Sequence, residues 1–131
     1  MKTMKILIVD DEPHLRMLIQ QTLEELEDDG VELLTARDGD EALETIRTEL
    51  PNLVFLDVMM PKKNGFDVCN AVKNELALGH IYIILLTAKG QEFDRKRGQE
   101  VGADLYMTKP FDPDALLTKA RSVLGLAIPG V

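Results

Sequence analysis

The sequence is poor in cysteine, short of basic charge and without a long apolar run. Cys69 is the one cysteine. No intramolecular disulfide and no Cys-rich zinc site can therefore form. Phe66, Val68 and Val72 surround it in sequence, which reads as a small buried hydrophobe on a helix rather than a reactive thiol. Lys and Arg number 15 against 23 Asp and Glu, a formal net charge of −8. Nucleic-acid backbones are held by clustered cations, so direct nucleic-acid binding is not expected. The first apolar run, Ile6–Val9, ends at once in Asp10-Asp11-Glu12, too short for a secretory signal. No segment approaches the roughly 18 apolar residues of a membrane span. The expected location is the cytoplasm, with no membrane partner. No internal repeat, low-complexity tract or composition shift divides the chain.

What is present suits one compact domain. The chain has 131 residues, 45% apolar and 29% charged, an ordinary globular balance. Short apolar runs alternate with amphipathic stretches. The runs predict strands over Lys5–Val9, Val31–Ala36, Leu53–Leu56, Ile81–Leu86 and Asp104–Met107. The first, third and fourth are nearly continuously apolar, as strands buried on both faces of a parallel sheet are.

Five helices are expected between and after them. Leu15, Leu18, Ile19, Thr22, Leu23 and Leu26 repeat at helical spacing behind Pro13, a residue tolerated in a first helical turn. Asp38 and Glu41 have capping-box spacing ahead of Ala42, Leu43, Ile46 and Leu50. A third helix is predicted over Phe66–Leu76, a weakly apolar fourth near Gln91–Val101, and a fifth over Pro113–Leu124. Five βα units in this length give an α/β fold, a doubly wound (βα)5 sandwich. The flavodoxin-like strand order 2-1-3-4-5 is taken as the rule for this architecture.

In that order strands 1 and 3 are neighbours, and chemistry gathers at their carboxyl ends. Strand 1 ends in Asp10-Asp11-Glu12 and strand 3 in Asp57-Val58-Met59-Met60-Pro61. Converging carboxylates repel and raise one another's pKa. A hard divalent cation with oxygen ligands offsets that cost, and Mg²⁺ uses one or two carboxylates and keeps several waters. Strand 4 brings Thr87 and strand 5 brings Lys109 to the same edge. Asp57 is thus placed as a nucleophile toward phosphorus, with the cation and Lys109 neutralising the oxygens. Each residue alone has a plainer reading. Asp57 would cap a turn, the acidic triplet would favour a helix dipole, Thr87 would end a strand, and Lys109 would be a solvated lysine. Four strand ends with complementary chemistry outweigh those readings together.

These residues and their surroundings resemble the receiver domain of bacterial response regulators, over Lys5 to Leu124. The motifs are Ile6–Glu12, Ala36–Leu43, Leu53–Pro61, Asn64-Gly65, Leu86-Thr87-Ala88, Gly102-Ala103-Asp104 and Tyr106–Phe111, in that order. The resemblance implies roles by position. Asp57 is the phosphoacceptor. Asp11 is the direct Mg²⁺ ligand, Asp10 acts through a coordinated water, and the backbone carbonyl of Met59 is a further ligand. Mn²⁺ would substitute for Mg²⁺. Thr87 bonds the phosphoryl group, Lys109 is the family's lysine, and Tyr106 is a switch aromatic that turns inward with Thr87. A cis peptide is implied at Lys109-Pro110. Met59 and Lys89 match rim positions that tune phosphoryl lifetime. Asn64 stands where the family often has Asp, and no role is assigned to it.

The implied donor is a histidine kinase or a histidine phosphotransfer protein, in a two-component phosphorelay. The protein catalyses its own modification and its loss, and is not an enzyme acting on a separate metabolite. Phosphorylation would reshape the face of helix 4, strand 5 and helix 5, decorated by Arg95, Lys96, Arg97, Asp104, Lys119 and Arg121. That face would then bind a downstream protein, an output domain of the same chain, or a second copy as a homodimer. Residues 1–125 are expected to form the receiver and 126–131 a C-terminal tail or linker start. Either the protein acts alone by docking, or it is a receiver cut from a longer chain.

Two enzyme-like alternatives share parts of this pattern. A haloacid-dehalogenase-type phosphatase needs a second Asp two residues after the nucleophile, where Met59 stands. A flavodoxin-like flavin carrier needs a phosphate-cradling loop after strand 1, where the acidic triplet would repel the ligand. A third alternative is a degenerate receiver that serves only for docking, against which the intact acidic and Thr87–Lys109 sets argue.

Overall fold

The computed structural model describes residues 3–88 and 95–128. Five parallel strands form one sheet in the order β2-β1-β3-β4-β5. They are β1 (Met4–Val9), β2 (Val31–Ala36), β3 (Leu53–Asp57), β4 (Tyr82–Ala88) and β5 (Leu105–Lys109). The helices are α1 (Pro13–Leu23), α2 (Gly39–Glu49), α3 (Gly65–Asn70), α4 (Arg95–Glu100) and α5 (Pro113–Leu124). Among the described residues no helix is long and apolar enough to cross a membrane.

Alternation along the strands builds two cores, one on each face of the sheet. Ile6, Ile8, Leu53, Phe55, Ile84 and Leu86 pack with Ile19 and Leu23 of α1 and Leu116 and Ala120 of α5. Leu7, Val9, Val54, Leu56, Ile83 and Leu85 pack with Ala42 and Ile46 of α2, Val68 and Cys69 of α3, and Val101 after α4. The strands read as continuously apolar because both faces are covered. The doubly wound α/β sandwich and its strand order match the sequence reading. Cys69 is buried, its Sγ 3.4 Å from the Val101 carbonyl oxygen, and burial pushes its thiol up to about 12. It is the structural hydrophobe expected of it.

The elements run slightly beyond the predicted ones at the carboxyl edge. Apolarity alone ends the fourth strand at Leu86, but the ladder continues through Thr87↔Thr108 and Ala88↔Lys109. Backbone pairing does not depend on side-chain polarity, so the polar residues of the site sit on strand rather than loop. The third helix departs more. α3 gives way at Ala71 to a π-helical turn, Ala71–Glu75. That wider turn points Lys73 into the fold. Its ammonium donates to the carbonyls of Gly79 and Ile81 and to Asp104 Oδ2, at 3.0, 2.6 and 2.8 Å. Helix α1 likewise ends in a 3-10 turn, Glu24–Asp29. The predicted residues Gln91–Asp94 of the fourth helix lie outside the described residues, as does Lys89.

Side-chain caps close three helix starts, with Asp112 Oδ1 accepting the Asp114 N–H at 3.0 Å at α5. Asp38 accepts the Glu41 N–H at 2.8 Å, while the Glu41 carboxylate pairs with Arg37 rather than closing the expected box. The complete capping box is at α3. Asn64 Oδ1 accepts the Asp67 N–H at 2.9 Å, and Asp67 Oδ2 accepts the Asn64 N–H at 3.3 Å.

Candidate functional site

Strand register assembles the site. Val9 lies opposite Leu56, Asp57 opposite Leu86, and Ala88 opposite Lys109. The residue after β1 and the last residues of β3, β4 and β5 therefore meet at one edge, beside the point where strand order reverses. Asp10, Asp11 and Asp57 each offer a carboxylate oxygen there, all within 4.8 Å of one another. Asp10 and Asp57 are buried and Asp11 is exposed.

Asp10 is held on every side. Its N–H donates to the Ala36 carbonyl at 3.2 Å. Its Oδ1 accepts the Glu12 N–H at 2.9 Å, closing an Asx turn. Its Oδ2 lies 2.9 Å from the Lys109 ammonium, and its carbonyl accepts from Arg16 Nη1 at 2.8 Å. Asp57 Oδ1 lies 3.1 Å from the same ammonium and accepts the Met59 N–H at 3.3 Å. Met59 therefore meets the cluster through its backbone, while the residue is 60% exposed. The peptide between Lys109 and Pro110 is cis, as the resemblance implied.

Asp10 and Asp57 share the one ammonium of Lys109, and burial dominates the titration of Asp57. Burial pushes its carboxyl up to about 6, and the charge of Asp10 adds to this against the pull of Lys109 and of the Met59 N–H. For Lys109, burial acts to lower the pKa, but the hydrogen bond to Asp10 and the charges of Asp57 and Asp10 prevail and raise it. An acidic cluster with two buried carboxylates and one open to solvent fits a hard cation with oxygen donors that keeps some of its water.

Thr87 is buried at the same edge, with its hydroxyl 3.5 Å from the Met107 carbonyl oxygen. That distance is at the limit of a hydrogen bond, so the hydroxyl is weakly held. Tyr106 lies opposite Leu85 and so shares a sheet face with Thr87. Its ring is half-buried against the α2–α3 core.

Close packing shapes the loop after β3. A Cβ on Gly65 would stand 2.6 Å from the Asp57 carbonyl oxygen and 2.9 Å from Val58 Cα. Only glycine lets α3 begin this close to the acceptor strand. The Gly65 N–H donates to the Val58 carbonyl at 2.9 Å. In the sequence Asn64-Gly65 is a motif with no assigned role. The Asn-x-x-Asp spacing was the available signal for the cap, whereas the steric need at Gly65 had none.

The face expected to carry six charged residues is less charged than the sequence suggested. Arg121 is turned away to the 3-10 turn, pairing with Glu25 at 2.8 Å and Asp29 at 3.1 Å. Asp104 is tied to Lys73. Arg97 leans on α3, 3.6 Å from Asp67 and over the Phe66 ring. In each case a charge of opposite sign, or an aromatic face, was brought close by the fold. Lys96 is exposed and Lys119 half-buried, and the Arg95 side chain lies outside the described residues.

Beside Lys109, Leu15, Leu18, Ala88, Pro110 and Phe111 line an apolar groove of about 350 Å³. It adjoins the acidic pocket and opens to solvent, with Leu18 43% exposed.

Comparison with known proteins agrees with this geometry. The family model for the response regulator receiver domain matches residues 6–121. The alkaline phosphatase synthesis transcriptional regulatory protein PhoP of Bacillus subtilis is 44% identical over 120 residues, 92% of this chain and 48% of that protein. Protein PilG of Pseudomonas aeruginosa is 36% identical over 114 residues, 87% of this chain and 82% of PilG. A response regulator structure from Chloroflexus aurantiacus superposes with a TM-score of 0.80 at 32% identity, covering 95% of this chain and 99% of that one. The chain spans about half the length of PhoP and the similar transcriptional regulators. With the sheet order, the acidic edge and the matched span in agreement, the chain belongs to the response-regulator receiver domain family of two-component signalling.

Proposed function

We propose that Asp57 accepts a phosphoryl group from a phosphohistidine on a histidine kinase or histidine phosphotransfer protein. The observation that carries this reading is the junction of Asp57 with Asp10, Asp11 and Lys109 at one strand edge. Asp57 Oδ1 takes the bonds from Lys109 and Met59, which leaves Oδ2 to attack phosphorus. The new Oδ2–P bond forms as the P–N bond to the donor imidazole breaks. Water later attacks phosphorus, the P–O bond to Asp57 breaks, and inorganic phosphate leaves. The protein thereby modifies itself and reverses that modification.

Asp10, Asp11, Asp57 and the Met59 carbonyl would hold Mg²⁺, or Mn²⁺ in its place. The cation, when bound, neutralises phosphoryl oxygens and the surplus carboxylate charge. Lys109 supplies a second positive charge from the side of β5, and its present bridge to Asp10 keeps it at the pocket. Thr87 would turn its loosely held hydroxyl to a phosphoryl oxygen. Tyr106, on the same sheet face, would follow into the space left behind. A charge placed at β3 would then be read at α4, β5 and α5, by a downstream protein, an attached output domain or a second copy. The apolar groove beside Lys109 supports a protein donor, since it offers contact area next to an otherwise charged pocket.

Within this reading, residues 1–125 are the receiver and 126–131 begin a tail or linker, and the protein works in the cytoplasm. The test is incubation with Mg²⁺ and a small phosphodonor, followed by intact mass. The wild type should gain one phosphoryl mass and Asp57→Asn none. A wild type that gains no mass across donors and pH would overturn the reading.

A further inference from the structure

Arg16 lies close to the acidic pocket but takes no part in the chemistry above. It sits at the start of α1, where the helix dipole disfavours a cation. Something specific must offset that placement. Its Nη1 donates to the Asp10 carbonyl at 2.8 Å, and its N–H donates to the Glu12 carbonyl at 3.0 Å. Its side chain thus holds the Asp10 end of the turn, while the helical backbone bond, which any residue here would make, holds the Glu12 end. The Asx bond from Glu12 to Asp10 Oδ1 closes the same turn from inside. Asp11 lies between these anchors, and its carboxylate is the exposed member of the cluster. Its direction is set by the backbone of the turn rather than by burial.

We infer that Arg16 is a positioning residue for the cation site, fixing the β1–α1 turn so that Asp10 and Asp11 aim at one point with Asp57. This rests on the metal-binding reading of the pocket and names a residue that reading leaves out. Two effects of Arg16 oppose each other. Its positive charge repels a cation, while its hydrogen bond orients the ligands. Removal of charge alone would tighten cation binding. Loss of orientation would weaken it, and residues behind the ligands typically control affinity by 10- to 100-fold. Geometry prevails here because the bond is short and holds the Asp10 carbonyl, which none of the other Asp10 contacts among the described residues engages.

The experiment is calorimetric titration of the full chain with MgCl₂ at fixed ionic strength, for wild type, Arg16→Gln, Arg16→Met and Arg16→Lys. Arg16→Gln and Arg16→Met should bind Mg²⁺ roughly tenfold more weakly or worse, and Arg16→Lys should recover most of the affinity. The Mg²⁺-induced rise in Tm reads the same quantity for a variant too unstable to titrate. Equal or tighter Mg²⁺ binding by the neutral variants would overturn the role of Arg16 and leave the metal site standing. A wild type that does not bind Mg²⁺ would overturn the metal reading and this inference with it.

Discussion

Lys109 Nζ lies 3.1 Å from Asp57 Oδ1, joining the end of β5 to the end of β3 across the strand between them. The same nitrogen holds Asp10 at 2.9 Å. Both carboxylates are buried, so the lysine is the charge that lets them share an edge. Replacing Lys109 with Met should destabilise the fold by about 3 kcal/mol, the low end for a broken buried pair, because Asp57 can respond by taking up a proton. Urea unfolding at neutral pH checks this, and the same variant should accept phosphoryl groups far more slowly.

Asp57 gives the fold a pH dependence of unusual sign. Its folded pKa is near 6, above the ordinary carboxylate value of 3.8, through burial and the charge of Asp10. The folded state therefore binds this proton more tightly than the unfolded chain. The resulting stability is full below about pH 4 and is lost as pH rises through 6. Asp57→Asn mimics the protonated acid. Without divalent cations it should be more stable than wild type at pH 7, by up to about 3 kcal/mol. The advantage should vanish by pH 4, and Mg²⁺ should narrow it by stabilising only the wild type. Denaturant midpoints with and without Mg²⁺ at the two pH values measure each part.

The same titration governs the chemistry. The carboxylate attacks and the protonated acid does not. Phosphorylation by a small donor should be nearly constant above pH 7 and fall about tenfold per unit below 6. Saturating Mg²⁺ should shift that fall to lower pH, because the cation favours the ionised form. Initial rates by intact mass give the profile, and a flat profile down to pH 5 would refute it.

Gly65→Ala tests the packing of α3 on the acceptor strand. The added methyl would sit 2.6 Å from the Asp57 carbonyl oxygen. The backbone must shift, at a cost of about 1–3 kcal/mol. Mg²⁺ affinity should fall along with stability, since Asp57 moves with its own backbone.

Lys73→Met probes a connection far from the site. It removes the donor to Asp104 and to two carbonyls. Loss of about 2–3 kcal/mol is expected from the unsatisfied acceptors. Mg²⁺ affinity should stay unchanged, which separates this network from the Arg16 turn.

The sequence by itself determined the α/β alternation, because strands covered on both faces must be apolar throughout and amphipathic helices must cover them. It also placed Asp10-Asp11 just after one apolar strand and Asp57 at the end of another, while their convergence followed once those strands were taken as neighbours. Tertiary structure decided what depends on partners distant in the chain. Thr87 and Lys109 lie on paired strands because β4 and β5 keep their ladder past the apolar run. Lys73 meets Asp104 through a π turn that no periodicity announces. Arg121 leaves the expected face for Glu25 and Asp29. Arg16 reaches the Asp10 carbonyl, a contact invisible in spacing because a carbonyl carries no residue identity. Local pattern reports which face is buried, whereas a charge settles on whichever opposite charge or carbonyl the finished fold brings within reach.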